Sequence, residues 1–297
     1  MTSAPDILCI GSALWDVIGR ASNPMTLGAD LPGRIARLPG GVALNIAMTL
    51  RRFGLNPALL SAIGQDEEGE ALIAACTRSG VLTTHVYRSP DLPTDRYMAV
   101  EGANGLIAAI ADAHSLEAAG AQILRPLEDG RLGSASAPYP GAIALDGNLT
   151  EALLQEIAQS PLFASADLRV APASPGKAAR LLPLLDHPGA TFYLNREEAG
   201  LICMARFDNA ADAAETLVER GAYRALVTDG GAEMAMANAA GLVRRCPPQV
   251  MVTRVTGAGD TLMAGHIAAE LGGASADNSL EAALRAAAQH ITGKTPQ

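Results

Sequence analysis

Val255-Thr256-Gly257-Ala258-Gly259-Asp260-Thr261-Leu262-Met263-Ala264-Gly265 is the stretch on which the reading of this chain turns. Three small residues in succession let backbone N–H groups converge. Behind them Leu262, Ile267 and Leu271 recur at helical spacing until Gly272-Gly273 ends the pattern. A tight turn feeding a helix N-terminus is an anion hole, because the first amides have no partner inside the helix and its dipole favours negative charge there. An acid directly behind such a loop repels phosphate if the loop only binds one. As a base, however, Asp260 accepts the proton of an attacking hydroxyl. The alternative is an ordinary Gly-rich turn with Asp260 as its N-cap.

Working outward, short apolar runs alternate with longer helical patterns. Ile7 to Ile10, Ala58 to Ile63, Ala142 to Leu145, Thr191 to Leu194 and Ala225 to Thr228 read as buried strands. Asn45 to Phe53, Glu68 to Ser79, Glu151 to Ala158, Lys177 to Leu185, Ala210 to Arg220, Thr261 to Leu271 and Leu280 to Gln289 read as helices. The alternation predicts an α/β fold with a mostly parallel sheet covered on both faces. Gly11 to Leu38 and Arg96 to Asp112 break the rhythm with alternating residues around Asn23-Pro24, Leu31-Pro32-Gly33 and Gly102-Ala103-Asn104-Gly105. They read as antiparallel hairpins that leave the main sheet twice and cover a site at the strand ends. The expected organisation is one domain over 1–297 with a discontinuous β lid from 12–38 and 94–112.

Composition narrows the function. The 297 residues are 49% hydrophobic and 18% charged, with only one Trp, five Tyr and four Phe, so disorder is excluded and the core is aliphatic. Twenty-two basic against 31 acidic residues, net −9, with no basic stripe, argue against nucleic acid and anionic membrane as partners. No apolar stretch reaches the roughly 18 residues of a membrane span, and the N-terminus lacks a basic leader. Cys9, Cys76, Cys203 and Cys246 form no CxxC pair, which fits a reducing cytoplasm. Lys177 and Lys294 are the only lysines.

Other segments carry weaker signals. Asn195-Arg196-Glu197-Glu198 follows a strand and opens a helix, so an amide and a carboxylate one turn apart could hold hydrated Mg²⁺ and its phosphates, or simply cap the helix. Thr228-Asp229-Gly230-Gly231 ends a strand with a hydroxyl and flexible backbone, suited to phosphate or to any tight turn. Asp16, Asn45 and the Gly40-Gly41 backbone could hold vicinal sugar hydroxyls, against a solvated turn acid and a helix-start amide. Gly293-Lys294-Thr295 is not a P-loop, since position 288 is Ala, and Gly257-Ala258-Gly259 is not a dinucleotide fingerprint, since position 262 is Leu. None of the five histidines has metal-ligand spacing, and packing is the expected role of His266.

In this order, the Gly40-Gly41…Asn45, Asn195…Glu198 and Thr256-Gly257-Ala258-Gly259-Asp260 segments resemble the PfkB (ribokinase-like) family of carbohydrate kinases over essentially the whole chain. Several segments are similar to the subgroup that phosphorylates pseudouridine. They are Pro32-Gly33-Arg34-Ile35, Ser61-Ala62-Ile63-Gly64, Thr94 and Tyr97 before Ala108-Ala109-Ile110-Ala111-Asp112, Leu145-Asp146-Gly147-Asn148, and Pro172-Ala173-Ser174 with Lys177. The resemblance implies a three-layer α/β sandwich with a small β lid, and transfer of the ATP γ-phosphate to a nucleoside 5′-hydroxyl. It further implies Asp260 as base and Gly257, Ala258 and Gly259 as the anion hole. Asn195, Glu198, Thr228, Gly230 and Thr256 are implied around ATP, with Glu198 serving hydrated Mg²⁺. Asp16, Gly40, Gly41 and Asn45 are implied at the ribose. Ser12, Thr94, Tyr97, Asp112, Asn148 and Lys177 are implied elsewhere around the substrate, and a homodimer is expected through the lid.

The chain departs from the family pattern at Arg254, where Asp or Asn is common, so a K⁺ site is doubtful. It departs again at Ala171-Pro172, and part of the adenine-pocket wall is expected to be missing or replaced. The remaining readings are a kinase of the same family for another nucleoside or sugar, and a non-catalytic binding descendant, against which intact Asp260 argues.

Overall fold

The structure is a computed structural model that describes residues 4–251 and 256–293. Its frame is an eight-stranded sheet in which β1 (Ile7–Ile10) is flanked by β4 (Pro57–Leu60) and β9 (Ala142–Asp146). Beyond β9 come β10 (Asp167–Ala171), β11 (Ala190–Asn195) and β12 (Arg224–Thr228), all parallel. The antiparallel β13 (Met234–Asn238) and β14 (Gly241–Arg245) close one edge. β1, β4 and β9 up to Leu145 are apolar without alternation because helices bury both faces. Leu8, Ile10 and Leu145 pack toward one layer and Ile7, Cys9 and Ala144 toward the other.

The first layer holds α3 (His114–Ala119), α4 (Glu151–Gln159), α5 (Arg196–Cys203), α6 (Ala210–Glu219) and the 3₁₀ segment Pro175–Leu184, through Leu116, Leu153, Ala199, Leu217 and Leu181. The second holds α1 (Val42–Arg52), α2 (Glu67–Arg78), α7 (Ala258–Leu271) and α8 (Ala276–Ile291), through Leu44, Leu72, Met263 and Leu280. The segment read as a helix from Lys177 is thus 3₁₀, with Pro183 removing an amide that an α-helix needs. The run Ala58 to Ile63 is two strands broken at Ser61, the second being β5 (Ala62–Gly64), which pairs with β6 (Tyr87–Ser89).

The lid is a four-stranded sheet in the order β3-β2-β7-β8, built from β2 (Leu14–Ala21), β3 (Gly33–Gly40), β7 (Arg96–Gly102) and β8 (Gly105–Asp112). Both hairpins are antiparallel, as the turn residues predict, but they join through a parallel β2·β7 pair. At its base Trp15 is buried, its indole N–H donates to the Glu68 carbonyl (3.0 Å), and Arg37 lies over its ring and pairs with Glu68. That contact fastens the lid to α2.

Candidate active site

The strand ends of the parallel sheet converge on Asp146, the last residue of β9, which is fully buried. Its carboxylate accepts from the Ser12 amide (2.8 Å), the Ser12 hydroxyl, the Asn148 amide (2.8 Å) and the Asn148 side chain (3.0 Å). Ser12 Oγ in turn accepts from the Val42 amide (2.9 Å) at the start of α1. Asn148 Oδ1 accepts from Lys177 Nζ (2.6 Å). This buried network ties the turns after β1 and β9 to α1 and fixes the loop that carries Gly40 and Gly41.

Helix α7 begins in that neighbourhood. Gly257 is its N-cap at φ 80°, a left-handed conformation that a side chain disfavours, and the first bond inside the helix runs from the Thr261 amide to the Gly257 carbonyl (3.0 Å). The amides of Ala258, Gly259 and Asp260 therefore have no acceptor within the helix and form a donor cluster at its positive end. Asp260 is at N3 and does not cap. Its Oδ2 accepts from Asn45 Nδ2 (2.9 Å), so the amide expected at a sugar instead holds the carboxylate. Burial pushes the Asp260 carboxyl up to about 7; the Asn45 bond opposes this, and the charges of Asp146, Asp16 and Glu198 add to it.

On the lid side, Asp16 stands in register between Leu38 of β3 and Tyr97 of β7, and burial pushes its carboxyl up to about 6. A Cβ on Gly40 would sit 2.0 Å from Asp16 Oδ2, so only glycine lets this carboxylate lie against the backbone. Tyr97 is half-buried on the same lid face. Other residues expected at the substrate are placed differently. Ser12 and Thr94 are each 2% exposed, Ser12 within the Asp146 network and Thr94 with its hydroxyl donating to Asp66 Oδ1 (2.5 Å). The loop constraints that bring them near the site also consume them. Asp112 is exposed at the end of β8 and pairs with His114. Asn148 and Lys177 are joined to each other behind Ser12.

A cleft of about 1580 Å³ opens on the other side of Asp260, lined by Asn195, Glu198, Thr228, Gly230 and Gly259. Asn195 and Glu198 form a capping box: Asn195 Oδ1 accepts from the Glu198 amide (2.9 Å) and Glu198 Oε2 from the Asn195 amide (2.8 Å). The sequence offered capping and metal service as alternatives. The box uses one oxygen of Glu198 and leaves Oε1 on a carboxyl that burial holds above its ordinary range. That free oxygen fits a hydrated divalent ion brought by phosphates, held through water by one carboxylate. Among the described residues no cluster of three acids, histidines or cysteines could ligate a metal directly. Nothing lies within 4 Å of a Cβ built on Gly230 or Gly259, so backbone faces the cleft at both. Thr256 is exposed and its carbonyl accepts from His290 Nε2 (2.8 Å). Arg254, Val255 and Lys294 lie outside the described residues.

Sequence reading missed the apolar wall of this cleft, Leu201, Met204, Phe207 and Val250. Met204 is 86% exposed at φ 51°, the one non-glycine with positive φ among the described residues, and no spacing in the sequence marks it. Asp146 could have been found as an acid ending an otherwise apolar buried strand.

A cluster of free helix-start amides, a buried carboxyl of raised pKa and an open cleft on one side of it suit a phosphotransferase that acts on a hydroxyl group. The pfkB family carbohydrate kinase description matches residues 4–297, and this chain belongs to that family. It is 28% identical over 267 residues to the pseudouridine kinase of Escherichia coli K12, covering 87% of this chain and 82% of that protein. In fold it is similar to a ribokinase from Thermotoga maritima, with a TM-score of 0.79 at 18% identity over 97% of this chain and 93% of the other. It is also similar to the adenosine kinase of Sinorhizobium meliloti, with a TM-score of 0.76 at 20% identity over 99% and 96%. These likenesses establish the ribokinase-like α/β fold.

Proposed function

We propose that this chain transfers the γ-phosphoryl group of ATP to the 5′-hydroxyl of pseudouridine. The observation that carries the reading is the place of Asp260, held by Asn45 between the lid-side cradle and the large cleft, one turn into a helix with a free N-terminal donor cluster. Asp16 and the Gly40-Gly41 backbone hold the ribose hydroxyls against the lid, and Tyr97 shares that face. Asp260 accepts the 5′-hydroxyl proton as that oxygen attacks the phosphorus. The amides of Ala258 and Gly259 take the charge that develops on the transferred group. Thr228 and Gly230 line the phosphate path, with Thr256 just before the donor cluster, and the apolar wall from Leu201 to Phe207 receives the base of ATP. Mg²⁺, when bound near Glu198, neutralises the phosphates.

The overall likeness to the Escherichia coli enzyme, over 87% of this chain, favours pseudouridine over other acceptors. We place the protein in the cytoplasm; among the described residues no helix is long and apolar enough to cross a membrane. The lid face opposite Asp16 carries Ile35 and the cross-strand pair Met98 and Ile110, 81%, 47% and 62% exposed, and a second copy of the chain covers it in this reading. Light scattering of wild type and Ile35→Lys tests that part. The function is tested by a phosphotransfer panel with ATP, Mg²⁺, nucleosides and sugars, using Asp260→Asn as control. Transfer to pseudouridine that vanishes in the control supports it; transfer only to another acceptor overturns the substrate, and transfer to none overturns the kinase reading.

A further inference from the structure

At the end of α7 remote from the cleft lies a buried polar cluster that the chemistry above does not use. Arg169 of β10, Thr191 and Tyr193 of β11 and Arg224 of β12 all face α7 from three adjacent parallel strands. They meet one carboxylate, Glu270, in the last turn of that helix. Arg224 is bidentate to it, Nη1 to Oε1 at 2.6 Å and Nη2 to Oε2 at 2.9 Å, and its Nε donates to Thr191 Oγ1 (2.9 Å). Arg169 Nη1 donates to the same carboxylate and to the Tyr193 hydroxyl (3.2 Å), and Asp167 chelates the rest of its guanidinium at 2.7 Å. The Tyr193 hydroxyl is also hydrogen-bonded to His266 Nδ1 (2.8 Å), and the other nitrogen of that ring is Nε2. That Nε2 is fully buried and without a partner, and burial pushes His266 down to about 4.

We propose that Glu270 is a positioning residue for phosphoryl transfer: clamped by Arg169 and Arg224, it fixes where α7, and with it the donor cluster and Asp260, stands along the sheet. Ten residues separate Asp260 from Glu270, about 15 Å along one rigid helix, so a displacement at one end is delivered at the other. Leu262, Met263 and Ile267 bury α7 in the core, and its seam with α8 is close, a Cβ on Gly265 coming within 2.8 Å of Ala286 Cβ. The charged fork adds directional hydrogen bonds to that packing at the far end of the helix. It also accounts for the buried guanidinium of Arg169 and the orphaned imidazole nitrogen beside it, which cost more than apolar groups of equal volume.

The test separates position from stability. In Arg169→Met/Arg224→Met/Glu270→Leu the buried charges go together and apolar volume replaces them, which preserves folding; Glu270→Gln is the milder partner variant. Both are assayed with ATP·Mg²⁺ and pseudouridine for kcat and KM, and the Asp260 carboxyl is titrated by ¹³C NMR in the ligand-free protein. The proposal predicts, in variants that melt like wild type, a kcat lower by roughly ten- to a hundredfold with nucleoside KM unchanged, and a displaced Asp260 titration as the Asn45 bond loosens. Unchanged kcat together with an unchanged Asp260 titration in a folded variant overturns it. The inference rests on the kinase reading, but the NMR arm does not need turnover. If wild type ignores pseudouridine while the titration moves, the substrate assignment fails and the clamp stands.

Discussion

Asp260→Asn should make the enzyme slower and sturdier at once. The carboxyl ordinarily titrates near 3.8 and here at about 7, chiefly through burial. A shift of about three units corresponds to about 4 kcal/mol, and the open cleft beside the residue screens this to about 2 kcal/mol. The sign follows from linkage: the folded state binds this proton more tightly than the unfolded chain, so stability from this group is complete below pH ~4 and is lost as pH rises through ~7. Asparagine cannot ionise, keeps an oxygen for Asn45, and avoids the loss. At pH 8 the variant should melt ~4 °C above wild type, and at pH 5 the difference should be smaller by roughly a third or more. Its kcat should fall by roughly 10² to 10⁴ with nucleoside KM nearly unchanged, because the carboxylate acts on the proton in transit. Scanning calorimetry at the two pH values and steady-state kinetics read both effects. Equal melting differences at pH 5 and pH 8, or wild-type turnover, would refute the reasoning.

Gly40→Ala places a methyl 2.0 Å from Asp16 Oδ2 and should raise nucleoside KM at least tenfold while leaving the KM for ATP near wild type. Glu198→Gln preserves the capping box, so melting should hold within about 1 kcal/mol, while the Mg²⁺ concentration for half-maximal rate rises severalfold. Arginine at position 254 cannot supply an oxygen ligand, so wild type should be indifferent to KCl at matched ionic strength, and Arg254→Asp should become K⁺-dependent. A strict K⁺ requirement in wild type would contradict that.

Most of the sheet was legible because central parallel strands are bare apolar runs: Ile7–Ile10 and the core of Ala142–Asp146 stand out from their flanks. β10 was not, since Asp167 and Arg169 interrupt its run; Arg169 is held there by Asp167 beside it and by Glu270 from a helix a hundred residues on. β13, Met-Ala-Met-Ala-Asn, has the composition of a helix and becomes a strand through pairing with β12. Within the site, Asp260 was legible from its loop, but the Asn45 to Asp260 bond joins residues 215 apart, and no local pattern encodes it. The same distance rule hid the commitment of Ser12 to Asp146, 134 positions away.

The most direct measurement is kcat/KM for pseudouridine against uridine, with ATP and Mg²⁺, the product identified by ³¹P NMR. Pseudouridine keeps an N1–H donor that uridine lacks, so an acceptor on the lid face that carries Asp16 and Tyr97 goes unpaired when uridine binds. The account predicts a 5′-phosphate product and a preference for pseudouridine of roughly tenfold or more. Equal kcat/KM for the two nucleosides, or no transfer to either, would contradict it.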